Sequence, residues 1–380
     1  DMNCFFASCE VKKNPSLKGK KLIIGGLSNR SIVSASSYEA RKDGIYTTMP
    51  IYMAKEKCKD GIFLPVDHEY YLKVSDEIFT FLRSKYKIVE VASIDEAYMD
   101  LTDVNLGKDP YLYFQNLQKE IYEKIHIPCS IGVSYCRFLA KMASDYKKPL
   151  GITIIKKKDV EKIIWPIKIE DTFGIGKASS ARLKEIGINT IGDMIKSDDY
   201  KVREILGSYY DRIIALTKGE VAERIVLHHE DPKSIGNSHT LDYNTSDYQI
   251  IKENLKYLSD EVSSRLKVNK MLAYTITLTL KDKNFISTSK SKQIIEPTDD
   301  NDKIFIEILK LLDKVENKVI RLVGVSTSNL IYKEHYSKQL SLFTINKEND
   351  NTKELIDKLN KLAGKNIFMK AKDLENGKRN

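Results

Sequence analysis

The segment ASIDEAYMD, residues 92–100, constrains the fold more than any other part of this sequence. It places Asp95 and Glu96 side by side, with the strand-like stretch KIVEVASI before them and AYMDL after them. Burying one carboxylate is costly unless it is paired or metal-bound, and burying two costs more. The segment therefore predicts a hairpin with both acids at its turn, where they either cap an exposed turn or hold a cation.

The surrounding pattern predicts a split βαβ sheet around this hairpin. Apolar spacing indicates, in chain order, a strand end at DMNCFFA, a helix over 67–86, strands over 88–94 and 97–101, a helix from Asp109-Pro110, a strand over 129–134, a helix over 137–147 and a strand at GITII. In such a sheet the first strand lies antiparallel beside the third. Asp1 is then expected to meet Asp95 and Glu96 at one edge, where three unpaired carboxylates would repel and a divalent cation pair would relieve the repulsion.

Composition limits what this cation and its partners can be. The 380 residues, 42% hydrophobic and 30% charged, are enough for two to four domains. The five cysteines form no C-x-x-C pair and no zinc-like spacing with the six histidines, which favours reduced cytosolic thiols and a metal held by oxygen, Mg²⁺ or Mn²⁺. The net charge of +9 fits a nucleic-acid or polyphosphate partner, although many soluble proteins share it. No apolar run approaches the ~20 residues that span a bilayer, and no signal-peptide pattern is present.

The remaining chain divides into four further parts. Residues 11–66 form a Lys-, Ser- and Gly-rich insert, and 166–230 read as a small helical unit. From Lys233 a second βαββαβ order follows, with strands over 238–243, 272–281, 284–290 and 319–330 and helices over 246–267 and 301–316. In LAYTITLTLK the apolar and threonine positions alternate, which is typical of a sheet with one face in solvent. Past about 334 the chain reads as a tail.

Two short motifs indicate phosphate contacts. FGIGKASSARL has the form of a helix–hairpin–helix, in which Gly174 and Gly176 would let backbone amides approach a phosphate; the alternative is an ordinary glycine-rich turn. Tyr38 and Arg41 are three residues apart in a helical stretch and share a helix face. With Lys148 they could surround a triphosphate, although each alone reads as a solvated surface residue.

Together these segments resemble the Y-family DNA polymerases, most closely the bacterial DinB type. The resemblance is carried, in the family's order and spacing, by DMNCFFASCE, SASSYEARKDGI, ASIDEAYMDLT, CSIGVSYCRFLAKMASDYKKPLG, TFGIGKASSARL, KSIGNSHTL and QLSLF. It implies a multidomain α+β fold shaped as a right hand. A split-βαβ palm would take 1–10 and 67–165, small fingers 11–66, a helix–hairpin–helix thumb 166–230, and a linker with a βαββαβ little finger 231–333. A C-terminal tail would take 334–380.

The resemblance also implies roles for individual residues. Asp1, Asp95 and Glu96, with the backbone carbonyl of Met2, would hold the two Mg²⁺ ions of nucleotidyl transfer. Tyr38, Arg41 and Lys148 would hold the β- and γ-phosphates of a dNTP. The Phe6 ring would fill the space that a ribose 2′-hydroxyl needs; without the resemblance it reads as a plain core aromatic.

Further implied contacts are with DNA and a protein partner. Primer–template DNA would lie against the hairpin residues Gly174, Gly176 and Lys177. It would also lie along the little finger, beside exposed Ser and Thr and Lys281, Lys283, Lys290 and Lys292. Gln339-Leu340-Ser341-Leu342-Phe343 matches the family's peptide for the sliding clamp (β subunit), with Leu342 and Phe343 entering an apolar pocket.

The sequence departs from the family pattern at a few positions. Asn3 stands where many members carry a second aspartate, Ala35 where threonine often contacts the triphosphate, and we expect residues to precede Asp1. We expect a low-fidelity translesion polymerase, monomeric and cytoplasmic. Two alternatives stay open: a clamp- and DNA-binding accessory protein with an inactive palm, and a nucleotide cyclase-like enzyme, which would need neither the hairpin motif nor QLSLF.

Overall fold

The computed structural model describes residues 1–337 apart from 27, 29, 222–224, 226–230 and 317. The chain divides into two compact units, Asp1–Glu230 and Asp231–Asn380, each with its own apolar core. Among the described residues, no helix combines the length and apolar character needed to cross a membrane.

The first unit alternates short strands with helices. Its strands are β1 (Leu22–Gly25), β2 (Val33–Ser36), β3 (Ile62–Leu64), β4 (Val89–Val91), β5 (Ala97–Met99), β6 (Ile131–Val133) and β7 (Ile152–Ile154). Its helices are α1 (Phe5–Lys13), α2 (Tyr38–Lys42), α3 (Ile51–Lys57), α4 (His68–Lys85), α5 (Pro110–Ile125), α6 (Arg137–Tyr146), α7 (Val160–Ile163), α8 (Lys177–Glu185), α9 (Ile191–Lys196), α10 (Tyr200–Leu206) and α11 (Tyr210–Lys218).

The strands near the acidic hairpin have the predicted neighbours. β4 pairs antiparallel with β5, and β6 pairs in parallel with β7. Met2 joins these two pairs, because its N–H donates to the Asp95 carbonyl at 2.9 Å and it forms an antiparallel bridge with Cys129. Asp1 therefore lies beside the hairpin turn, as the split-βαβ order predicts.

The prediction that DMNCFFA ends a strand is wrong beyond the first residues. Cys4 has a left-handed backbone with φ 45°, and α1 begins at Phe5. Phe5 and Cys9 are four residues apart and both buried on α1, so helix packing overrides the strand preference of the two aromatic residues. Asp109 caps α5 by accepting the Tyr111 N–H at 2.9 Å, which confirms the predicted helix start.

Helix α6 is held against both the hairpin and β6. A Cβ on Gly132 would lie 2.0 Å from the Ala140 carbonyl oxygen, so only glycine allows this strand to approach the helix. Arg137, at the start of α6, contacts Glu90 of β4 at 2.7 Å, and the Glu90 side chain is 3% exposed. These contacts set the position of the charged residues that α6 carries.

The rest of the first unit consists of a small sheet and a helical segment. The sheet has the order β2-β1-β3 and carries α2, which Ser37 caps by accepting the Ala40 N–H. Helices α7 to α11 share a core with the buried side chains Phe138, Leu139 and Met142 of α6. The helical segment is therefore packed onto the same helix that borders the hairpin.

The second unit has the predicted βαββαβ order. Its elements are β8 (Ser234–Thr245), α12 (Tyr248–Val268), β9 (Met271–Asp282), β10 (Ser287–Thr298), α13 (Asn301–Leu312) and β11 (Ile320–Tyr332). The sheet order is β10-β9-β11-β8, with β11 antiparallel to both neighbours. β10 starts and ends later than the strand predicted over 284–290. Its polar residues pair with β9 from Ser287 to Gln293, and Thr298 pairs with Ala273, although β10 lacks an apolar strand pattern. α13 ends at Leu312, four residues before the end of the predicted helix over 301–316. Leu311 and Leu312 are the last buried residues of its apolar stripe.

Candidate active site and nucleic-acid interface

Charged side chains from three segments meet beside the hairpin turn. The Nζ of Lys141, on α6, lies 2.7 Å from Asp1 Oδ2, 2.7 Å from Glu96 Oε1 and 3.1 Å from Asp145 Oδ2. The Nζ of Lys148 lies 2.7 Å from Asp1 Oδ1 and 2.5 Å from Asp145 Oδ1. The side chains of Asp1 and Lys141 are only 8% and 12% exposed, so this ion-pair network is partly desolvated.

The network favours the charged forms of Lys141 and Asp145. Burial alone would lower the pKa of the Lys141 ammonium, but its hydrogen bond with Glu96 and the nearby Asp145 carboxylate outweigh burial, so the pKa is raised. Burial would raise the pKa of the Asp145 carboxyl, but the hydrogen bond from Lys148 and the charge of Lys141 lower it. Lys141 and Asp145 are therefore a pair of opposite charges within the site.

Asp95 lies at the same turn but its carboxylate has a different partner. Its Oδ1 accepts the Ser93 hydroxyl at 2.7 Å, while its backbone carbonyl accepts the Met2 N–H. The N–H groups of Ala92 and Ser93 both donate to the Glu96 carbonyl, at 2.9 and 3.2 Å, and close the turn. The predicted meeting of carboxylates is therefore found for Asp1 and Glu96, whereas the Asp95 side chain is held by the turn itself.

The donor set fits a hard divalent cation. Asp1 and Glu96 direct carboxylate oxygens to one ammonium group, which marks a point where positive charge is favoured. In the described part of the chain, only Asp43, Cys58 and Asp60 bring three ligand atoms within 4.8 Å of one another. Lys21 contacts both of those acids at 2.8 Å, so that cluster is an ion-paired group of the β1–β3 sheet.

The three predicted phosphate-binding residues lie around Cys4. The Arg41 guanidinium carbon is 5.0 Å from the centroid of the Tyr38 ring, which confirms that the two share a face of α2. Burial raises the pKa of the Cys4 thiol, while the charges of Arg41 and Lys148 and a hydrogen bond with Tyr38 act to lower it. Burial and the nearby Cys4 raise the pKa of Tyr38 to about 12, so its hydroxyl is a neutral donor at physiological pH.

Phe6 is half-buried on α1, where it stacks on another aromatic ring. Its centroid is 4.4 Å from that of Tyr71, with 23° between the ring planes, and His68 meets it edge-on at 6.1 Å. Its orientation is therefore determined by residues at the start of α4.

The buried Asn3 side chain forms hydrogen bonds that connect the first residues of the chain to two later segments. Asn3 is 1% exposed; its Nδ2 donates to Ser130 Oγ at 2.9 Å and its Oδ1 accepts the Leu150 N–H at 2.8 Å. The amide supplies one donor and one acceptor to this buried network, whereas a carboxylate would supply acceptors alone.

In the predicted helix–hairpin–helix turn, Gly174 has a left-handed backbone, whereas Gly176 does not. Gly174 has φ +87°, and a Cβ there would lie 2.6 Å from the Tyr209 hydroxyl. Gly176 is the N-cap of α8, and Lys177 is exposed at its first turn. The preceding helix is a single 3₁₀ turn, Ile169–Asp171.

The open face of the second unit's sheet is covered by small hydroxyl side chains. On adjacent strands, Thr277 contacts Ser291 at 2.9 Å and Thr279 contacts Ser289 at 3.1 Å. Lys281 pairs with Ser287 in the same register and lies on this face, whereas Lys283 is exposed in the following turn.

The remaining two predicted lysines lie on the other face of β10. Lys290 pairs with Leu278 and Lys292 with Ile276, both buried on the helix-covered side. Lys292 contacts Glu307 of α13 at 2.6 Å. The four lysines therefore do not form one row, because side chains along a strand alternate between its faces. The predicted clamp peptide, 339–343, lies outside the described residues.

Lys141 and Asp145 are charged residues of the site for which the sequence alone predicted no role. Both lie in FLAKMASDYKKP, where Lys141 and Asp145 are four residues apart and so share one face of α6. This spacing is the sequence signal that could have identified the two residues as neighbours. It indicates a charged face but not the partner of that face, which is set by the packing of α6 on the hairpin.

Known proteins resemble this chain over nearly its whole length. Residues 1–145 match the impB/mucB/samB family and residues 232–342 match that family's C-terminal domain. DNA polymerase IV of Oceanobacillus iheyensis is 38% identical, covering 100% of this chain and 92% of the relative. DNA polymerase IV 1 of Bacillus subtilis is 35% identical, covering 99% of this chain and 92% of the relative.

Solved structures give the same relationship. A Y-family DNA polymerase chimera of Dbh and Dpo4 has a TM-score of 0.77 and 28% identity, covering 87% of this chain and 98% of that chain. An insertion ternary complex of Dbh DNA polymerase has a TM-score of 0.59 at 28% identity and the same coverage. The resemblance and the fold class inferred from the sequence are thus confirmed: the chain belongs to the impB/mucB/samB family, within the Y-family of DNA polymerases.

Proposed function

We propose that this chain is a DNA-directed DNA polymerase that transfers dNTPs to a primer 3′-hydroxyl during translesion synthesis. The observation that carries the proposal is the cluster of Asp1, Glu96 and Lys141 at a hairpin edge, within a fold matched by relatives named DNA polymerase IV. A nucleotide and primer–template DNA are its substrates. The accessory-protein and cyclase alternatives are not favoured, since the relatives cover the whole chain and are named as polymerases.

We assign the metal-binding role to Asp1, Asp95 and Glu96, together with the Met2 backbone carbonyl. When bound, two Mg²⁺ ions (or Mn²⁺ as substitutes) would lower the pKa of the primer hydroxyl and stabilise charge at the α-phosphate. Oxygen donors suit these hard cations.

The chain's own residues would bind and orient the nucleotide. Arg41 offers bidentate hydrogen bonds and Lys148 a point charge to the β- and γ-phosphates, while Tyr38 donates a neutral hydroxyl. The support is their arrangement around Cys4. Phe6 would occupy the space of a 2′-hydroxyl, and the support is that its ring stacks on Tyr71.

DNA would contact both units of the chain. We assign the backbone amides of Gly174 and Gly176, together with Lys177, to contacts with DNA phosphates. The sheet face covered by hydroxyl side chains, together with Lys281 and Lys283, is assigned to further DNA phosphates. Lys290 and Lys292 lie on the opposite face of the sheet, so they would reach DNA only by extending around its edge at β10. The four-domain division of palm, fingers, thumb and little finger is part of this proposal; α1 runs continuously across residue 10, where the palm would give way to the fingers.

Primer extension tests the activity directly. The purified chain with Mg²⁺ and dNTPs is expected to extend a primer on an undamaged template and on one that carries a bulky base lesion. A replicative polymerase serves as the comparison on the damaged template. Absence of extension on both templates would overturn the proposal.

Lys141→Met is expected to test the metal site without measuring catalysis. Without divalent cations, this variant should lose roughly 1–3 kcal/mol of unfolding free energy, because Asp1 and Glu96 lose a shared, partly buried counter-charge. Mg²⁺ should then stabilise the variant more than the wild type, since the ion no longer competes with the ammonium. Urea unfolding with EDTA and with Mg²⁺ measures both effects.

The matched control for this experiment is Lys124→Met. Lys124 pairs with Glu120 on the exposed face of α5 at 3.1 Å, and its side chain is 58% exposed. Its loss should change stability little and leave the response to Mg²⁺ at the wild-type value. An equal Mg²⁺ effect on all three proteins would contradict the metal assignment.

Deletion of residues 339–343 is expected to remove stimulation by the sliding clamp. The QLSLF peptide would tether the polymerase near the primer end and raise its effective concentration there, without contributing to catalysis. Primer extension with and without the loaded clamp measures the difference, and basal extension should be unchanged. Replacement of 344–348 by alanines is the control. Equal stimulation of the deletion and the wild type would refute the clamp assignment.

We further propose that the polymerase acts as a monomer in the cytoplasm. The five cysteines form no disulfide bond with one another, and four of them are buried, which suits a reducing compartment.

A further inference from the structure

Helices α1 and α4 meet at the side chain of Tyr71. Phe6 and Glu10 are four residues apart on α1 and face the same side of that helix. The Tyr71 ring stacks on Phe6 with 4.4 Å between centroids, and the Tyr71 hydroxyl donates to Glu10 Oε1 at 2.7 Å. One tyrosine therefore contacts both residues, with its ring on the first and its hydroxyl on the second.

This hydrogen bond is buried, and its acceptor belongs to an acidic side chain. Tyr71 is fully buried, and Glu10 is 8% exposed although it is a glutamate. A buried carboxylate is costly unless it is hydrogen-bonded, and hydrogen bonds to charged acceptors are the stronger ones. Burial, followed by the hydrogen bond to Glu10, raises the pKa of Tyr71, so the hydroxyl remains a donor over the physiological range.

We propose that Glu10 is a positioning residue for sugar selection: through the Tyr71 hydroxyl it sets the ring on which Phe6 rests. This inference rests on the proposed function, in which the Phe6 ring excludes a 2′-hydroxyl. Discrimination against one hydroxyl requires the ring to hold its place closely, and small displacements of positioned groups have large kinetic effects. Glu10 itself is not placed against the nucleotide.

The competing role for Glu10 is to hold α1 against α4. Two other pairs join the same helices without touching Phe6: Lys12 with Glu77, and Lys13 with Asp67 at 2.7 Å. Lys13→Ala therefore loosens the same helix pair but leaves the stacked rings in contact with Glu10. It separates a general loss of packing from a loss of ring position.

The experiment compares incorporation of ATP and dATP opposite the same template base. Tyr71→Phe keeps the stacked ring and removes the donor; Glu10→Ala removes the acceptor. Each is expected to raise the ratio of kcat/KM for ATP to that for dATP by roughly three- to tenfold, the range of one net hydrogen bond. The double variant should show no further rise, because both changes remove the same bond. Glu10→Gln retains an acceptor and should stay within about twofold of the wild type.

The outcomes separate this inference from the function on which it rests. A raised ratio in Tyr71→Phe and Glu10→Ala, with wild-type ratios in Lys13→Ala and Glu10→Gln, supports it. Unchanged ratios in Tyr71→Phe and Glu10→Ala, or an equal rise in Lys13→Ala, overturn it while the polymerase function stands. If Phe6→Ala leaves the ratio unchanged, the assignment of Phe6 fails and this inference fails with it. No dATP incorporation by the wild type would reject the proposed function itself.

Discussion

The double variant Asp95→Ala, Glu96→Ala is expected to lose primer extension by about 10³-fold or more. These residues supply two of the three carboxylates assigned to the metal ions. Glu96 and Asp1 both contact the Lys141 ammonium, and Asp95 lies at the same turn as Glu96. Single-turnover extension in Mg²⁺ measures the loss, and EDTA should reduce the wild type to the same level.

The loss should occur without unfolding. Lys141 keeps Asp1 and Asp145 as partners in the double variant, and the hairpin is closed by backbone hydrogen bonds to the Glu96 carbonyl, which alanine retains. Asp103→Ala, an exposed acid beyond the far end of β5, is the matched control and should extend normally. Extension by the double variant at the wild-type rate would rule out the metal assignment.

Phe6→Ala is expected to have the second-largest effect, on the choice of sugar. Removal of the ring opens the space assigned to the 2′-hydroxyl, so incorporation of ribonucleotides relative to deoxyribonucleotides should rise by about 10²-fold. Incorporation of dNTPs should fall much less, because the phosphates are held by other residues. Steady-state kinetics with matched ATP and dATP concentrations measures the ratio.

A suitable control for Phe6→Ala is Phe81→Ala. Phe81 is a half-buried aromatic residue on α4 that packs against the same core and lies beneath Lys85 and Lys124. Both variants should lose stability, by roughly 1–3 kcal/mol for a partly buried ring. Only the Phe6 variant should change sugar selection. A similar change in both would show that loosening of the core, and not removal of the gate, alters the ratio.

Much of the fold was predictable because its signals are local. Apolar spacing indicated α4 and α5, Asp109-Pro110 marked a helix start, and alternating apolar and threonine residues identified β9. The sequence pattern gave a wrong prediction where tertiary packing opposed the local strand preference of the residues. Two phenylalanines suggested a strand, yet α1 begins at Phe5 because its buried face is completed by α4 and the sheet.

The candidate site was predictable in part. The acidic pair and the helical spacing of Tyr38 and Arg41 could be read directly, since each lies within a few consecutive residues. The four lysines of the second unit could not be sorted by face, because that depends on the register of β10 against β9.

The sequence by itself determined which segments carry chemistry: two acids at a hairpin turn, a glycine turn before a helix, and the pair Tyr38 and Arg41 at helical spacing. Tertiary structure alone decided which of these groups meet. Lys141 lies between Asp1 and Glu96, and Tyr71 reaches Glu10, across separations of 140, 45 and 61 residues. The reason is physical: spacing along a chain determines which face of an element a side chain occupies. The partner on that face depends on how helices pack against a sheet, and here α6 and α4 approach the first residues of the chain.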